Sequence, residues 1–247
     1  MFRYALLGII QGLTEFLPVS SSAHLVIGQK LLGIAGEEIA LSIVLHLGTL
    51  LALAVFFFKD ILELFTNLKW ILLIIIVTII TGIIGMAGKD FFEGLFASVK
   101  LTAAALLVTG AILILTRRFR RPNREMLGLS DALFLGLTQG LAIIPGISRS
   151  GITISTLLFR RLTWEVSFKF SFLASIPAIL GAVLLEAKKI DFAMQGKFGD
   201  YALGFIFSFI AGIFSLWLLK LVLRRARLDY FGYYCILVAV LSLIFIK

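Results

Sequence analysis

Residues 11–24 read QGLTEFLPVSSSAH and residues 145–153 read PGISRSGIT. The two stretches set a carboxylate, an amide, a histidine, an arginine and a run of hydroxyls into an otherwise oily chain. Ionisable and polar side chains are expensive at membrane depth, so where they gather they mark a site. Their prolines and glycines also interrupt the apolar regions that carry them, and that interruption decides the fold.

Outward from these stretches, the chain is 60% hydrophobic and only 15% charged over 247 residues. This is more apolar surface than one soluble core hides, and it identifies an integral membrane protein. The net charge of +9 does not point to nucleic acid, because the basic residues sit at the ends of apolar runs. Cys235 is the single cysteine, so an intrachain disulfide is excluded. The opening MFRYALLGIIQG puts one arginine ahead of an apolar run, but no small-x-small cleavage site follows, and it is read as mature protein.

A bilayer core needs roughly 20 apolar residues per helix. Residues 38–58, 70–88, 99–116, 163–186, 201–223 and 231–246 meet or approach that length. Residues 4–33 and 131–161 are instead broken near their middles by proline, glycine and serine. Irregular backbone at membrane depth is tolerated only where it is buried in protein or lines a cavity, which predicts two re-entrant helical hairpins with polar tips. The expected fold is an all-α polytopic membrane protein with six transmembrane helices and two re-entrant hairpins.

The broken regions match each other at an offset of 128 residues. Gly8, Gln11, Gly12, Leu13, Ser20 and Ser22 fall on Gly136, Gln139, Gly140, Leu141, Ser148 and Ser150 without a gap. One membrane domain, 1–247, thus divides into halves 1–116 and 131–247 joined by a basic loop, 117–130. Three spans per half put the second half upside down relative to the first, an inverted-topology repeat with the broken helices meeting near the midplane. Of the 23 lysines and arginines, 13 fall on one side and 8 on the other, with Arg149 and Lys169 standing apart. The denser side, with RRFRRPNR and RRARLD, is read as cytoplasmic, and both termini then face outward. Gly82, Gly85, Gly88 and the pairs Gly8/Gly12 and Gly136/Gly140 are read as internal helix packing rather than a dimer motif.

Gln11 and Glu15 are four apart and share a helix face. Glu15 suits a metal ligand, a general base or the partner of a histidine. Ser20, Ser21 and Ser22 followed by His24 supply the minimum pair for an activated nucleophile or for proton transfer, although one serine is explained by helix capping. His46, in an uninterrupted apolar span, is read as a packed or helix-bonded histidine. Arg149 offers a planar fork for phosphate oxygens, flanked by Ser148, Ser150 and Thr153, with Gly146 and Gly151 freeing the backbone. The alternative for Arg149 is a counter-ion to Glu15, which joins the tips equally well. This set suits phosphoryl transfer or hydrolysis on a lipid whose tail stays in the bilayer.

Both stretches, in order, resemble the two signature regions of the undecaprenyl-diphosphate phosphatase family, the bacterial bacitracin-resistance phosphatases. Length, hydropathy and the two-half layout extend the resemblance over essentially the whole chain. It implies hydrolysis of undecaprenyl diphosphate to the monophosphate carrier lipid and inorganic phosphate, for peptidoglycan and other envelope polymers. It implies a divalent cation, Mg²⁺ or Ca²⁺, and an active site open to the outer face of the inner membrane. The family's motif residues fall on Gln11, Glu15, Ser21 and His24, and on Ser148, Arg149 and Thr153. Glu15, Ser21, His24 and Arg149 are the expected catalytic residues, with Glu15 and Gln11 at the metal. Gln11, Ser20, Ser22, Gly146, Ser148, Ser150 and Thr153 are the expected substrate contacts. Gln11 at the first position leaves one carboxylate instead of two. The expected partners are the polyprenyl diphosphate and membrane lipids, with a homodimer left open and no nucleic acid. The rival reading is a lipid-phosphate flippase or small-anion transporter on the same architecture.

Overall fold

The structure, a computed structural model, describes residues 2–32, 38–96, 98–119, 123–187 and 198–245. Arg120, Arg121, Lys188, Lys189, Lys197 and Lys247, counted above for orientation, lie outside the described residues. The described chain is all helical. In order come α1 (Phe2–Phe16), α2 (Ser21–Leu32), α3 (Glu38–Phe56), α4 (Phe58–Leu64), α5 (Leu68–Ala87) and α6 (Lys89–Phe96). They are followed by α7 (Val99–Leu115), α8 (Leu129–Leu141), α9 (Arg149–Phe159), α10 (Trp164–Ala187), α11 (Phe198–Arg224) and α12 (Asp229–Phe245).

Four helical segments are long and apolar enough to cross a membrane, and a fifth counts if the bent pair α3 and α4 is one span. The molecule is a multi-pass membrane protein. Its lipid-facing surface is visible along α5, where Leu72, Ile75, Ile79, Ile83 and Met86 are all exposed at helical spacing. Two expected spans differ in detail. The run 38–58 ends at Phe56, and the chain turns by 73° into α4. The last helix has only 17 residues. Both broken regions are pairs of short helices: α1 with α2, and α8 with α9. The longest of the four, at 15 residues, reaches about 22 Å, short of a 30 Å core.

The close approaches follow the small residues. A Cβ on Gly8 would lie 2.4 Å from the Gly204 carbonyl oxygen, and one on Gly12 the same distance from that of Ser208, so α1 lies directly on the backbone of α11. Gly136 and Gly140 bring α8 onto Ile80 and Ile84 of α5. Gly82, by contrast, meets nothing within 4 Å. Hydroxyls join the helices where backbones are this near: Ser208 donates to the Leu45 carbonyl and Ser215 to that of Gly12, both at 2.8 Å. At the basic end, the fully buried Asp131 pairs with Arg124 and Arg160 and accepts from the Gly128 N–H at 2.8 Å. That network ties the loop before α8 to the end of α9.

Candidate active site

The breaks between α1 and α2 and between α8 and α9 lie against each other, and the offset of 128 reappears in their hydrogen bonds. Ser20 Oγ accepts from the Ala23 N–H at 3.4 Å, and Ser148 Oγ accepts from the Gly151 N–H at 3.2 Å. These are N-caps at equivalent positions. Each cap also touches the serine two residues on: Ser20 to Ser22 at 3.0 Å, Ser148 to Ser150 at 3.4 Å. Across the breaks, the Gly146 N–H donates to Ser22 Oγ at 3.3 Å, and Ser150 donates to the Leu17 carbonyl at 3.3 Å. Thr109 of α7 donates to the Gly146 carbonyl at 2.9 Å, while Cys235 of α12 lies 3.6 Å from that of Pro18, the position equivalent to Gly146. Gly146 has φ +97, a conformation that glycine alone adopts without strain.

The chemistry is not symmetric. Glu15, buried in α1, forms an ion pair with Arg149 at the start of α9. Its other oxygen, Oε2, accepts from Ser21 Oγ at 2.7 Å and from Gln11 Nε2 at 3.1 Å. At the repeat-related positions Ile143 stands for Glu15 and Arg149 for Ser21, so each half supplies a different charge. Arg149 therefore meets the carboxylate as a counter-ion, and among the described residues no second acceptor takes its remaining N–H groups, which leaves them to an incoming anion.

Glu15, Ser21 and Arg149 line a cavity of about 640 Å³ whose walls include Gly82 and Gly85 of α5 and Ala178 and Gly181 of α10. Pro177, inside α10, also lines it. Its exposed charged rim is Lys89 and Glu186. The polar inner end and the walls of small and aliphatic residues, Ile143, Ile147 and Ile179 among them, suit a ligand with a charged end and an apolar chain.

Of the expected substrate contacts, Ser20, Ser22 and Ser148 line the cavity. Ser150 is spent on the Leu17 carbonyl, and Thr153 bonds Ser171 at 2.7 Å and the Arg149 carbonyl at 2.6 Å. Gly146 holds the turn through its backbone. Gln11 is fully buried and outside the cavity lining, and its Oε1 has no partner among the described residues.

The two histidines are held differently from one another. No hydrogen bond joins His24 to Ser21 among the described residues. His24 Nδ1 lies 2.8 Å from the Ser20 carbonyl, and Nε2 lies 2.8 Å from the Tyr234 hydroxyl on α12, away from the cavity. Helix spacing alone would let Ser21 and His24 meet; the Ser20 carbonyl and the Tyr234 hydroxyl hold the His24 ring instead. His46 is helix-bonded as expected, its Nδ1 2.8 Å from the Ser42 carbonyl. Because a carbonyl only accepts, Nδ1 carries the proton in the neutral ring and Nε2 keeps its lone pair. That nitrogen faces Glu15 Oε2 at 3.8 Å in the cavity. The sequence signal for it was a histidine inside an apolar span, which is also what a packed histidine looks like.

No group of three or more His, Cys, Asp or Glu side chains suited to a metal is present among the described residues. The oxygen donor in the cavity is the Glu15 carboxylate, with His46 Nε2 beside it, while Gln11 turns its amide nitrogen to Glu15; this fits an ion that takes one protein oxygen and completes its shell from phosphate and water.

A family model described as "Bacitracin resistance protein BacA" matches residues 4–241. Among similar curated proteins, the Undecaprenyl-diphosphatase of Halothermothrix orenii is 41% identical, over 99% of this chain and 97% of its own length. That of Carboxydothermus hydrogenoformans is 42% identical over 98% and 96%. Undecaprenyl-diphosphatase 1 of Bacillus cereus is 36% identical over 100% and 98%.

Proposed function

The chain belongs to the bacitracin resistance protein BacA family, and from that premise we propose that it is an undecaprenyl-diphosphatase. It hydrolyses undecaprenyl diphosphate to undecaprenyl phosphate and inorganic phosphate. The observation that carries the reading is the contact of Ser21 and Arg149 with the two oxygens of Glu15, across two breaks in the chain, at the buried end of the cavity.

The terminal phosphate enters among Arg149 and the N-termini of α2 and α9, where N–H groups and the helix dipoles favour an anion. The isoprenyl tail leaves along the apolar walls of the cavity into the bilayer. Ser21 Oγ, or a water in its place, attacks the terminal phosphorus while Glu15 Oε2 takes the proton. The bond from that phosphorus to the bridging oxygen breaks, and its electron pair leaves with undecaprenyl phosphate. With Ser21 as nucleophile, a second attack by water cleaves the phosphoserine. His46 Nε2 is placed to share the proton with Glu15. Mg²⁺ or Ca²⁺, held by Glu15 with Gln11 one turn away, would neutralise charge on the phosphate oxygens.

The finer architecture of the proposal is six spans and two re-entrant hairpins in inverted halves, with the site open to the outer face of the inner membrane. The caps repeated at an offset of 128, and the paired serines Ser22 and Ser150 that each reach across to the other break, support the two-half layout. Purified protein given an isoprenyl diphosphate should release inorganic phosphate. Binding without release would favour the flippase or transporter instead. Ser21→Ala separates the nucleophiles: loss of turnover together with a trappable phosphoserine in the wild type identifies the serine, and near-full turnover identifies water.

A further inference from the structure

We infer that His24 and Tyr234 form a positioning pair, which locks the turn at Ser20 and so aims Ser21 at Glu15. The inference rests on the phosphatase reading of the site.

Both ring nitrogens of His24 are committed. Nδ1 faces the Ser20 carbonyl at 2.8 Å, and since that oxygen can only accept, Nδ1 bears the proton. In the neutral ring Nε2 is then an acceptor, and the Tyr234 hydroxyl at 2.8 Å is its donor. The two rings lie nearly parallel, 6° apart in plane with centroids at 5.7 Å. A ring held this way has no free lone pair to offer Ser21, and neither His24 nor Tyr234 lines the cavity.

What the pair holds is unusual. Ser20 has φ +67, a left-handed conformation that a residue with a Cβ adopts at a cost and keeps only when its surroundings impose it. Ser21 follows directly, so any relaxation at Ser20 swings its hydroxyl away from Glu15 Oε2, 2.7 Å distant. The neighbouring residue of α12 reinforces the hold, because Cys235 Sγ reaches the Pro18 carbonyl in the same break. Helix α12 thus braces the break through consecutive side chains. His46 presents the contrast: its Nδ1 is anchored in the same way, but its Nε2 points at Glu15.

The test compares phosphate release from farnesyl diphosphate by the purified full-length protein and four variants. Asn at position 24 sets an amide N–H where Nδ1 stands, and Gln sets an amide where Nε2 stands; neither can carry a proton through the reaction. His24→Leu should lose about 100-fold or more in kcat, a displacement effect of the size expected for a misaimed reacting group. At least one of His24→Asn and His24→Gln should retain more than about a tenth of wild-type kcat. Tyr234→Phe, which keeps the ring stack and removes one oxygen, should lower kcat about tenfold with KM unchanged. Nitrogen-15 NMR of the labelled histidines should show the Nδ1-protonated tautomer for His24. If both amides are as inactive as His24→Leu in a protein that unfolds at the wild-type temperature, His24 carries the proton and the inference is overturned. An unchanged kcat in Tyr234→Phe overturns it as well, whatever the fate of the position-24 variants. Absence of phosphate release by the wild type would instead be a failure of the phosphatase reading itself.

Discussion

Replacing Gly146 by alanine tests whether the second break is held by backbone geometry. At φ +97 a residue with a Cβ is strained by about 1–2 kcal/mol. The added carbon would lie 2.1 Å from the Thr102 carbonyl oxygen, 2.8 Å from Ala105 Cβ and 3.0 Å from the Leu106 nitrogen. Two of these three neighbours are backbone atoms of α7, so no rotamer change relieves the contact, and overpacking adds about 1–3 kcal/mol. The total, about 2–5 kcal/mol, is a large fraction of ordinary protein stability. It also pushes α8–α9 away from α7, loosening the bonds from Thr109 to the Gly146 carbonyl and from the Gly146 N–H to Ser22. Arg149 stands three residues on, and a shift of about 1 Å there is enough to cost on the order of 100-fold in rate. Thermal unfolding in detergent and phosphate release, measured side by side, are the assays. Gly94→Ala, on the exposed face of α6 with nothing within 4 Å of the new Cβ, serves as the control and should leave both unchanged. A Gly146→Ala protein with wild-type stability and turnover would refute the reasoning.

Arg149→Met strands the buried Glu15 carboxylate and should destabilise by about 3–5 kcal/mol, Glu15→Gln leaves only the partly exposed Arg149 unpaired and should cost less, and the double variant should recover much of the larger loss; additive losses in chemical denaturation would contradict the pairing. His46→Leu should lower kcat at least about tenfold while leaving the unfolding temperature near wild type, since proton-transfer groups contribute about 100-fold or more when essential and less when shared; an unchanged kcat removes His46 from the reaction. Chelation of divalent cations should stop phosphate release without altering the circular dichroism spectrum, and added Mg²⁺ or Ca²⁺ should restore it. Full activity in the chelated enzyme would show that the phosphate charge is handled by Arg149 and the helix termini alone.

The breaks at Pro18 and Gly146 were legible because proline, glycine and serine in the middle of apolar runs have few other meanings, and the gapless identities at 128 residues tied them together. Glu15 and Arg149 stood out as ionisable groups far from the basic loops. What the sequence did not carry was direction. Ser21 and His24 are three apart and equally able to face one another, but Tyr234, more than 200 residues away, turns the histidine aside. His46 is set opposite Glu15 by the packing of α3 against α1 and α11, which no local pattern encodes. Ser150 and Thr153 read as phosphate donors until their hydroxyls are seen bonded to Leu17 and Ser171. The short helices α4 and α6 escaped notice because 7 and 8 residues are too few for a periodic pattern to register. The 73° turn at Phe57 has no proline or glycine to announce it; Phe57 packs there against Phe168 and Phe172 of α10.

The central claim is that one site is assembled from both breaks, with the carboxylate from the first and the guanidinium from the second acting on the same phosphate. The most direct measurement is release of inorganic phosphate from undecaprenyl diphosphate by the purified wild type, Glu15→Gln and Arg149→Ala. The account expects release by the wild type and a loss of about 1,000-fold or more in each variant, the scale set by removing a group that stabilises charge in the transition state. Wild-type rates in either variant would contradict it.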